Sequence, residues 1–516
     1  MVRLLFSILV VLFLQNLIIA QSTYFNLTYN PNNTWAIGSS IIEYNGSYYI
    51  TGGTYDSIDQ NQSIFIGNID VNGNLAFWKT YGAYSYAYWS GYTNSLISSS
   101  YGDLILAGGR SRYGVHGRAT YYNFNLNGDT NFTIRYPDYN YSDYTMFNQC
   151  RQTSDNGLIF VGFIAIEQNN SDVLILKTDY NGQEEWRANY NRPATYSIDH
   201  GYNIIETSDG GYLIGMYYYF ASVVQTGNPF LLKVNSQGEF QWELNLGGPY
   251  EDLLVTVCES NDGNYMCAAS ISDSTIDDLL LTKVHITKVS PEGAVLWSKT
   301  VGDQHLWNIV HGIYPDHNDG YILCGYRHDD VNGMDWMNSC GWICKIDENG
   351  DSIWWREYEH FDDPEWHMNK IYDLHLTSDG GYVAVGQTAT VYDPQQAWLL
   401  KVDSFGCDTP GCQTVGIIEP KNISKGTFLL YPNPASAEIR IDLRSFDKLR
   451  TSYSISDTGI SMLIYDLFGR KQDEIIIPKG QSKIRIDISS YHAGIYVAVL
   501  KSERKILDRK KFVVSE

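Results

Sequence analysis

Thr207-Ser208-Asp209-Gly210-Gly211-Tyr212-Leu213-Ile214-Gly215 opens a unit that recurs along this 516-residue chain. After a variable segment the unit continues as Phe230-Leu231-Leu232-Lys233-Val234-Asn235-Ser236-Gln237-Gly238-Glu239-Phe240-Gln241-Trp242. Repetition at a fixed period of this length indicates an array of identical supersecondary units. The turn glycine recurs at gaps of 54 to 57 residues, and an aromatic residue lies four positions after each of the first six: Gly73, Gly128, Gly182, Gly238, Gly293, Gly350 and Gly406; Phe77, Phe132, Trp186, Trp242, Trp297 and Trp354.

Each unit contains four short apolar runs, and none of them keeps a helical spacing. In the unit quoted above the runs lie near 202–206, 212–217, 229–234 and 240–246. The first and second runs are joined by Asp-Gly, a dipeptide that suits tight hairpins because glycine accepts positive φ. Four antiparallel strands in each of seven units predict an all-β fold, a seven-bladed β-propeller over residues 21–415.

The seventh unit lacks a fourth strand of its own. Gly406 is followed by Cys407-Asp408-Thr409-Pro410-Gly411-Cys412, whereas a lone strand-like run at 23–29 belongs to no unit. We expect residues 23–29 to complete the last blade, because a ring closed in this way leaves no unpaired inner edge.

Residues 1–20 have the features of a secretion signal. Arg3 is their only charge, an apolar run covers 4–14, and Ala20 is a small residue at the expected cleavage point before Gln21. The alternative is a membrane anchor, but the apolar run is short for a membrane span and is interrupted by Gln15-Asn16.

The C-terminal part differs in composition from the rest. The chain has a net charge of −22, yet residues 416–516 are basic. Strict alternation of apolar and polar residues, as in Ile439-Arg440-Ile441-Asp442-Leu443, predicts strands. We therefore expect a linker at 416–424 and a small Ig-like β-sandwich at 425–516.

Three segments of this tail carry a family resemblance. They are Tyr431-Pro432-Asn433-Pro434, Tyr465-Asp466-Leu467-Phe468-Gly469-Arg470 and Gly494-Ile495-Tyr496. Together they resemble the type A C-terminal sorting domain of the bacterial type IX secretion system, with Pro432, Asn433, Pro434, Gly469 and Gly494 as its motif residues. The resemblance implies a Bacteroidetes-like source and recognition by the type IX machinery. It also implies export across the outer membrane to the exterior or the cell surface, removal of the tail and attachment to surface lipopolysaccharide. A polar insert at 444–459 departs from the pattern, and a plain Ig-like adhesive module is the alternative.

Cysteine usage and charge exclude several classes of site and partner. Cys407 and Cys412 flank a Pro-Gly turn and are the candidate disulfide, which an exported chain permits. Cys258 and Cys267 are symmetric about the Asp262-Gly263 turn and could face each other across a hairpin, but most of the other six cysteines are interpreted as packing at apolar repeat positions. We predict no metal and no cofactor, because no Cys or His spacing suggests zinc. The acidic propeller argues against nucleic acid and anionic membranes.

The variable loops hold the candidate binding residues. In each unit the turns at one face are short and regular, whereas the loops at the other face vary, as functional loops on a rigid scaffold do. These loops are rich in aromatics beside acids and amides, a combination that suits sugar rings. The alternative is that the aromatics only pack the loops. The candidate binding residues are Tyr88, Trp89, Tyr139, Tyr141, Trp307, Trp336 and Trp366.

Three functions remain open at this point. The first is an exported surface or secreted protein that binds a glycan or another protein. The second is an enzyme that degrades extracellular polysaccharide or peptide in the central funnel, where His200, His305, His311 and His367 enter the innermost strands. The third is a structural surface component, and the fold does not decide among them.

Overall fold

A computed structural model shows two compact units, Met1–Thr414 and Val415–Glu516, and each is considered by itself. The regular elements of the described residues are β-strands throughout. The structure describes residues 24–31, 34–56, 61–112, 115–136, 144–167, 170–191, 197–220, 226–276, 279–302, 307–317, 320–328, 338–363, 366–409, 412, 428–431, 435, 437–443, 460–466, 471–478, 481, 483–492, 494–502 and 506–515.

The strands of the larger unit pair into seven antiparallel sets of four within the described residues. In the second set the first strand is broken into two pieces. The seven sets, in order, are β2 (Trp35–Tyr44), β3 (Ser47–Asp56), β4 (Asn61–Asp70), β5 (Leu75–Tyr81); β6 (Tyr86–Ser90) with β7 (Leu96–Ser98), β8 (Leu104–Arg112), β9 (Val115–Phe124), β10 (Thr130–Arg135); β11 (Tyr144–Gln152), β12 (Leu158–Glu167), β13 (Asn170–Thr178), β14 (Glu184–Tyr190); β15 (Ser197–Glu206), β16 (Tyr212–Phe220), β17 (Thr226–Val234), β18 (Phe240–Asn245); β19 (Val255–Glu259), β20 (Tyr265–Ile276), β21 (Leu279–Val289), β22 (Val295–Val301); β23 (Trp307–Pro315), β24 (Tyr321–His328), β25 (Ser339–Ile346), β26 (Ser352–Tyr358); and β27 (His367–Leu376), β28 (Tyr382–Thr390), β29 (Gln396–Val402), β1 (Phe25–Tyr29).

The sets form a closed ring. The first strands of neighbouring sets contact each other in chain order, and β2 contacts β27, so the first strands are innermost. This is the arrangement of a β-propeller. The predicted all-β, propeller-type fold is confirmed, and seven blades is our interpretation of the seven sets.

The turn between the first and second strands is fixed by an ion pair between a turn aspartate and a buried lysine. In the fourth set Gly210 has φ +79°, and the Asp209 carboxylate accepts hydrogen bonds from the Thr207 hydroxyl (2.6 Å) and the Gly211 N–H (2.9 Å). The Lys233 ammonium lies 2.9 Å from the same carboxylate, and its side chain is fully buried. The pair recurs as Lys177–Asp155, Lys288–Asp262 and Lys401–Asp379, whereas Lys345 pairs with Asp316, which occupies the position of Thr207.

The turn between the third and fourth strands contacts the preceding set. A Cβ atom on Gly238 would lie 2.6 Å from the Trp186 ring, so only glycine fits, and the repeated aromatics are packing residues. The Tyr190 hydroxyl, at the end of the same fourth strand, donates a hydrogen bond to the Gly238 carbonyl. Equivalent bonds join three further pairs of sets: Tyr81 to Gly128, Tyr136 to Gly182, and Tyr358 to Gly406.

β1 makes the corresponding contacts between the last set and the first. It pairs antiparallel with β29, with Phe25 opposite Lys401. The Tyr29 hydroxyl donates to the Gly73 carbonyl at 2.6 Å. Thus β1 contacts the first set as the other fourth strands contact the set that follows them.

The smaller unit consists of two antiparallel sheets, β30-β31-β34 and β33-β32-β35-β36. Apolar residues of both sheets share one core, including Phe428 and Ile441 on one side and Ile464 and Phe512 on the other. The predicted linker at 416–424 lies outside the described residues. The strands are β30 (Phe428–Tyr431), β31 (Glu438–Leu443), β32 (Ile460–Asp466), β33 (Lys471–Ile476), β34 (Lys483–Asp487), β35 (Gly494–Ser502) and β36 (Ile506–Val514).

Candidate functional site

The innermost strands carry β-bulges at corresponding positions. A bulge leaves one residue unpaired, bends the strand and redirects its side chain. Two tyrosines and a histidine are redirected in this way beside the axis of the ring. In the described part of the ring, single bulged residues interrupt β2, β11, β15, β23 and β27: Ser39, Asn148, Tyr202, His311 and Tyr372.

The second set has a longer insertion at this place. Ser90 is opposite Gly108 and Leu96 is opposite Leu106, so residues 91–95 face a single residue of the partner strand. We call residues 91–95 the axial loop. Its Thr93 hydroxyl donates to the backbone carbonyl of Tyr372, on the seventh set, at 2.7 Å.

Asp373 holds the axial loop in place. One carboxylate oxygen accepts hydrogen bonds from the Ser40 hydroxyl (2.7 Å) and the Asn94 N–H (3.1 Å). The other accepts from the Tyr314 hydroxyl at 2.5 Å. Burial raises the pKa of Asp373, although these hydrogen bonds oppose the shift. Because Asp373, on the seventh set, accepts hydrogen bonds from the first, second and sixth sets, we interpret it as a structural group.

The axial loop separates two cavities along the axis. Tyr92 and Thr93, together with Tyr202 and His311, line a cavity of about 20 Å³, which is large enough for one water molecule. Asn94 lines a larger cavity of about 370 Å³ on the side of the Asp-Gly turns. Arg151 and Glu206 also line this larger cavity.

Aromatic and imidazole side chains line the axis on the variable-loop side of the axial loop. Tyr92 contacts Tyr202 edge-on, with ring centroids 5.1 Å apart. His311 contacts Tyr372 edge-on at 5.0 Å and stacks with Tyr326 at 5.5 Å. These side chains come from the second, fourth, sixth and seventh sets. We define the funnel by seven residues: Tyr92, His200, Tyr202, His311, Tyr326, Lys370 and Tyr372.

The funnel histidines are uncharged at neutral pH. Burial lowers the pKa of His200 to about 4. Burial, assisted by the nearby charge of Lys370, lowers the pKa of His311 to about 3. The buried Nε2 of His311 has no hydrogen-bond partner among the described residues. His311 is therefore a neutral imidazole whose buried Nε2 could form one further hydrogen bond.

The funnel tyrosines are protonated at neutral pH. Burial raises the pKa of Tyr326 to about 12 and that of Tyr202 further. Tyr92 keeps 46% of its surface accessible to water, but partial burial beside the other funnel residues still raises the pKa of its phenol. Flat rings with neutral hydroxyl edges can contact the apolar face of a sugar and bind its hydroxyls.

The structure places four of the predicted binding residues. Trp89 contacts Tyr144 at 5.9 Å, and that ring stacks on Phe163, which in turn stacks on His200 of the funnel at 3.8 Å. Tyr88 is on the other side of β6, 5.1 Å from the Arg110 guanidinium, because side chains alternate along a strand.

The other two lie near the rim of the ring. Trp307 contacts His328 at 5.5 Å, and His328 contacts the funnel residue Tyr326 at 5.6 Å. Trp366 has a buried indole N–H with no hydrogen-bond partner among the described residues. Tyr139, Tyr141 and Trp336 lie outside the described residues, as do His305, Ala20, Gln21, Pro432, Asn433, Pro434 and Gly469.

Sequence reasoning missed most of the funnel. Tyr202, Tyr326, Lys370 and Tyr372 were not among the predicted binding residues, and His200 and His311 entered only as catalytic candidates. The sequence signal that could have identified Tyr202 is its repeat position, because the bulged residues Asn148 and Tyr202 are 54 residues apart, which is one repeat period.

The cysteines divide into one disulfide and six buried thiols. A disulfide joins Cys407 and Cys412. Cys258 and Cys267, on neighbouring strands, are free and buried, as are the other four. In the described part of the chain no group of three His, Cys, Asp or Glu side chains is placed to hold a metal ion.

Comparison with known proteins identifies the tail. Residues 429–515 match the family model described as the secretion system C-terminal sorting domain. The tail is a type IX secretion sorting domain. The protein is therefore secreted or attached to the cell surface, and its tail interacts with the type IX secretion machinery. Within the described residues, no helix is long and apolar enough to cross a bilayer.

The propeller is distantly similar to solved structures. One is a protein of unknown function from Bacteroides caccae, with 12% identity, a TM-score of 0.35 and coverage of 60% of this chain and 93% of that chain. Another, from Dyadobacter fermentans and also of unknown function, has 11% identity, a TM-score of 0.42 and coverage of 61% and 95%. The polysaccharide lyase Uly1 has 9% identity, a TM-score of 0.43 and coverage of 74% and 92%. No curated protein matches the chain. Similarity at these TM-scores carries no argument about the site.

Proposed function

We propose that this protein is a type IX exported β-propeller that binds a saccharide in the funnel outside the cell. In this proposal residues 1–20 are a signal peptide, residues 21–415 form the binding domain, and the domain from 425 is removed after export. Lipopolysaccharide attachment would then keep the binding domain at the surface. One observation carries the proposal, namely that phenol and imidazole rings from four sets converge on the axis above the axial loop.

The chemistry of these side chains favours a sugar over a peptide. Sugar rings present apolar faces to aromatic rings, and their hydroxyls pair with neutral donors and acceptors. The funnel supplies such groups on Tyr202, Tyr372 and His311. The seven funnel residues include no carboxylate, which a basic peptide would require.

Binding to a panel of immobilised polysaccharides and soluble oligosaccharides tests this proposal. We expect a specific ligand whose affinity falls when Tyr202 or Tyr372 is replaced by alanine. Tyr101→Ala is the matched control, because Tyr101 is 61% exposed in a regular turn of the other face. Lack of binding across the panel, or equal losses with all three variants, would contradict the proposal and favour a protein ligand or a structural role.

A second candidate is an enzyme acting on extracellular polysaccharide at the same place. The observation that favours it is the neutral His311 imidazole, whose Nε2 is unpaired among the described residues and whose ring contacts Tyr326 and Tyr372. A general base works best with a pKa near the working pH, so catalysis would require a bound ligand to raise the lowered pKa of His311, and a phenol could then donate a proton. Release of oligosaccharides by the wild type but not by His311→Asn would support catalysis. Equal binding by the two proteins without any product would leave a binding protein.

A further inference from the structure

Lys370 differs from the other buried lysines of the propeller. Five lysines at one repeat position each pair with an aspartate of the turn between the first and second strands, as Lys233 does with Asp209. Lys370 is on the innermost strand β27, only partly exposed, and forms no ion pair with any residue that the structure describes. Its ammonium lies over the ring of Tyr326, 4.6 Å from the centroid. A half-buried cation without an acidic partner is costly, so a role for its charge is expected.

Among the described residues, no carboxylate forms an ion pair with Lys370. Tyr326 contacts His311, His328 and Tyr372, with centroids 5.5, 5.6 and 6.1 Å apart. The nearby His311 imidazole is neutral at physiological pH, so Lys370 is the cation among the seven funnel residues. The whole chain, by contrast, carries 58 acidic and 36 basic residues. Within the seven defined residues the funnel therefore carries one positive charge, whereas the chain as a whole is acidic.

The surrounding groups define what an incoming anion would meet. An oxyanion beside Lys370 can form a charge-assisted hydrogen bond with the ammonium. The attached ring can then lie against Tyr372 or Tyr326, and the unpaired His311 Nε2 can bind a ring hydroxyl. The funnel residues therefore suit a rigid ring that carries a negative group better than they suit a free inorganic ion.

We propose that Lys370 is the anion-binding residue of the funnel and that the ligand is an acidic saccharide, whose carboxylate or sulfate group pairs with the ammonium. This inference rests on the proposed saccharide-binding function and narrows it to acidic sugars. Burial lowers the pKa of Lys370, which is consistent with an ammonium that gains from an anionic partner.

Calorimetric titration of the chain from residue 21 onward tests the proposal with three probes of matched length. These are an oligogalacturonate for carboxylates, a carrageenan oligosaccharide for sulfates and a cello-oligosaccharide as the neutral reference. We expect one acidic probe to bind most tightly and Lys370→Met to weaken it about 10- to 100-fold, as loss of a hydrogen bond to a charged group does. Lys370→Arg should retain most of the affinity, because it keeps the charge.

Lys299→Met is the matched control. Lys299 also lies over an aromatic ring, 5.6 Å from the Trp297 centroid, but it is on an outer strand and is paired with Asp351. Its replacement should leave binding unchanged. The acidic probe that depends on Lys370 identifies the group as carboxylate or sulfate, and either outcome supports the proposal.

Two results would overturn it. Equal affinity for acidic and neutral probes, or unchanged binding by Lys370→Met, would refute the anion-binding role while the saccharide proposal stands. Absence of binding to all three probes and to the wider panel would reject both proposals together.

Discussion

Replacing Tyr29 by phenylalanine removes one hydroxyl from the strand that closes the ring. The Tyr29 side chain is buried, and its hydroxyl donates a 2.6 Å hydrogen bond to the Gly73 carbonyl. The same bond joins neighbouring sets inside the ring, for example from Tyr136 to Gly182 at 3.1 Å. If β1 acts as the fourth strand of the last set, the two substitutions should have the same effect.

The size of the effect follows from the bond that is lost. Removing a hydrogen bond of this kind costs about 1 kcal/mol of unfolding free energy, and up to about 3 kcal/mol when the buried acceptor stays unpaired. Phe25→Ala in the same strand should cost more, about 3–5 kcal/mol, because it opens a cavity. The Phe25 ring is buried and contacts Tyr48 edge-on at 6.1 Å.

Urea unfolding followed by tryptophan fluorescence measures these differences. We expect Tyr29→Phe and Tyr136→Phe to lower the midpoint equally, Phe25→Ala to lower it further, and each transition to remain a single cooperative step. An unchanged midpoint for Tyr29→Phe and Phe25→Ala, beside a lowered midpoint for Tyr136→Phe, would refute closure by β1. A separate early transition would mean that β1 adds to a ring that is already stable.

The remaining predictions concern export, the repeated ion pair and the disulfide. Deleting residues 421–516 should abolish surface display in the native host, as measured by antibody labelling of intact cells, and unaltered display would contradict the sorting assignment. Lys233→Met should destabilise the fold by about 1 kcal/mol in urea unfolding, because it removes the cation that pairs with the half-exposed Asp209 carboxylate, and Asp209→Asn added to it should recover part of the loss. Although burial raises the pKa of Asp209, hydrogen bonds from Thr207 and Lys233 lower it overall. The contribution of this pair to the free energy of unfolding should therefore be present above pH 3.8 and be lost as the pH falls below it. The unfolding free energies of the wild type and Lys233→Met should accordingly converge at low pH. Cys407→Ser should cost about 2 kcal/mol, the entropy of a short closed loop, and an unchanged unfolding midpoint would show that the disulfide is dispensable.

The repeats made the frame of the molecule predictable. Five of the seven turn glycines, such as Gly238, lie against the repeated aromatic ring of the preceding set, so a single packing contact recurs as a sequence period. The lysine of the repeated turn ion pair also follows the sequence period, since Lys233 and Lys401 occupy equivalent positions. It was not recognised because a charged residue within an apolar strand gives no sign of its partner across the hairpin.

The funnel was less predictable, because its residues depend on how far each innermost strand departs from the repeat. A one-residue bulge at Tyr202 and a five-residue axial loop at 91–95 both interrupt the ladder, and sequence alone gives no register for either. The aromatic residues of the variable loops predicted a site at the rim instead. There, Trp89 and Trp307 contact other rings that in turn contact funnel residues.

The axial loop also determines which side of the ring can hold an extended ligand. Thr93 donates to the Tyr372 carbonyl, and Asp373 accepts from the Asn94 N–H, so the second and seventh sets are joined across the axis. A polymer therefore cannot thread through the ring, and a chain that enters from the variable-loop side must end or turn at Tyr92. The funnel is accordingly suited to the end or a side group of a polysaccharide. In the proposed complex, Lys370, two residues before Tyr372 on β27, would pair with the anionic group of that end or side group.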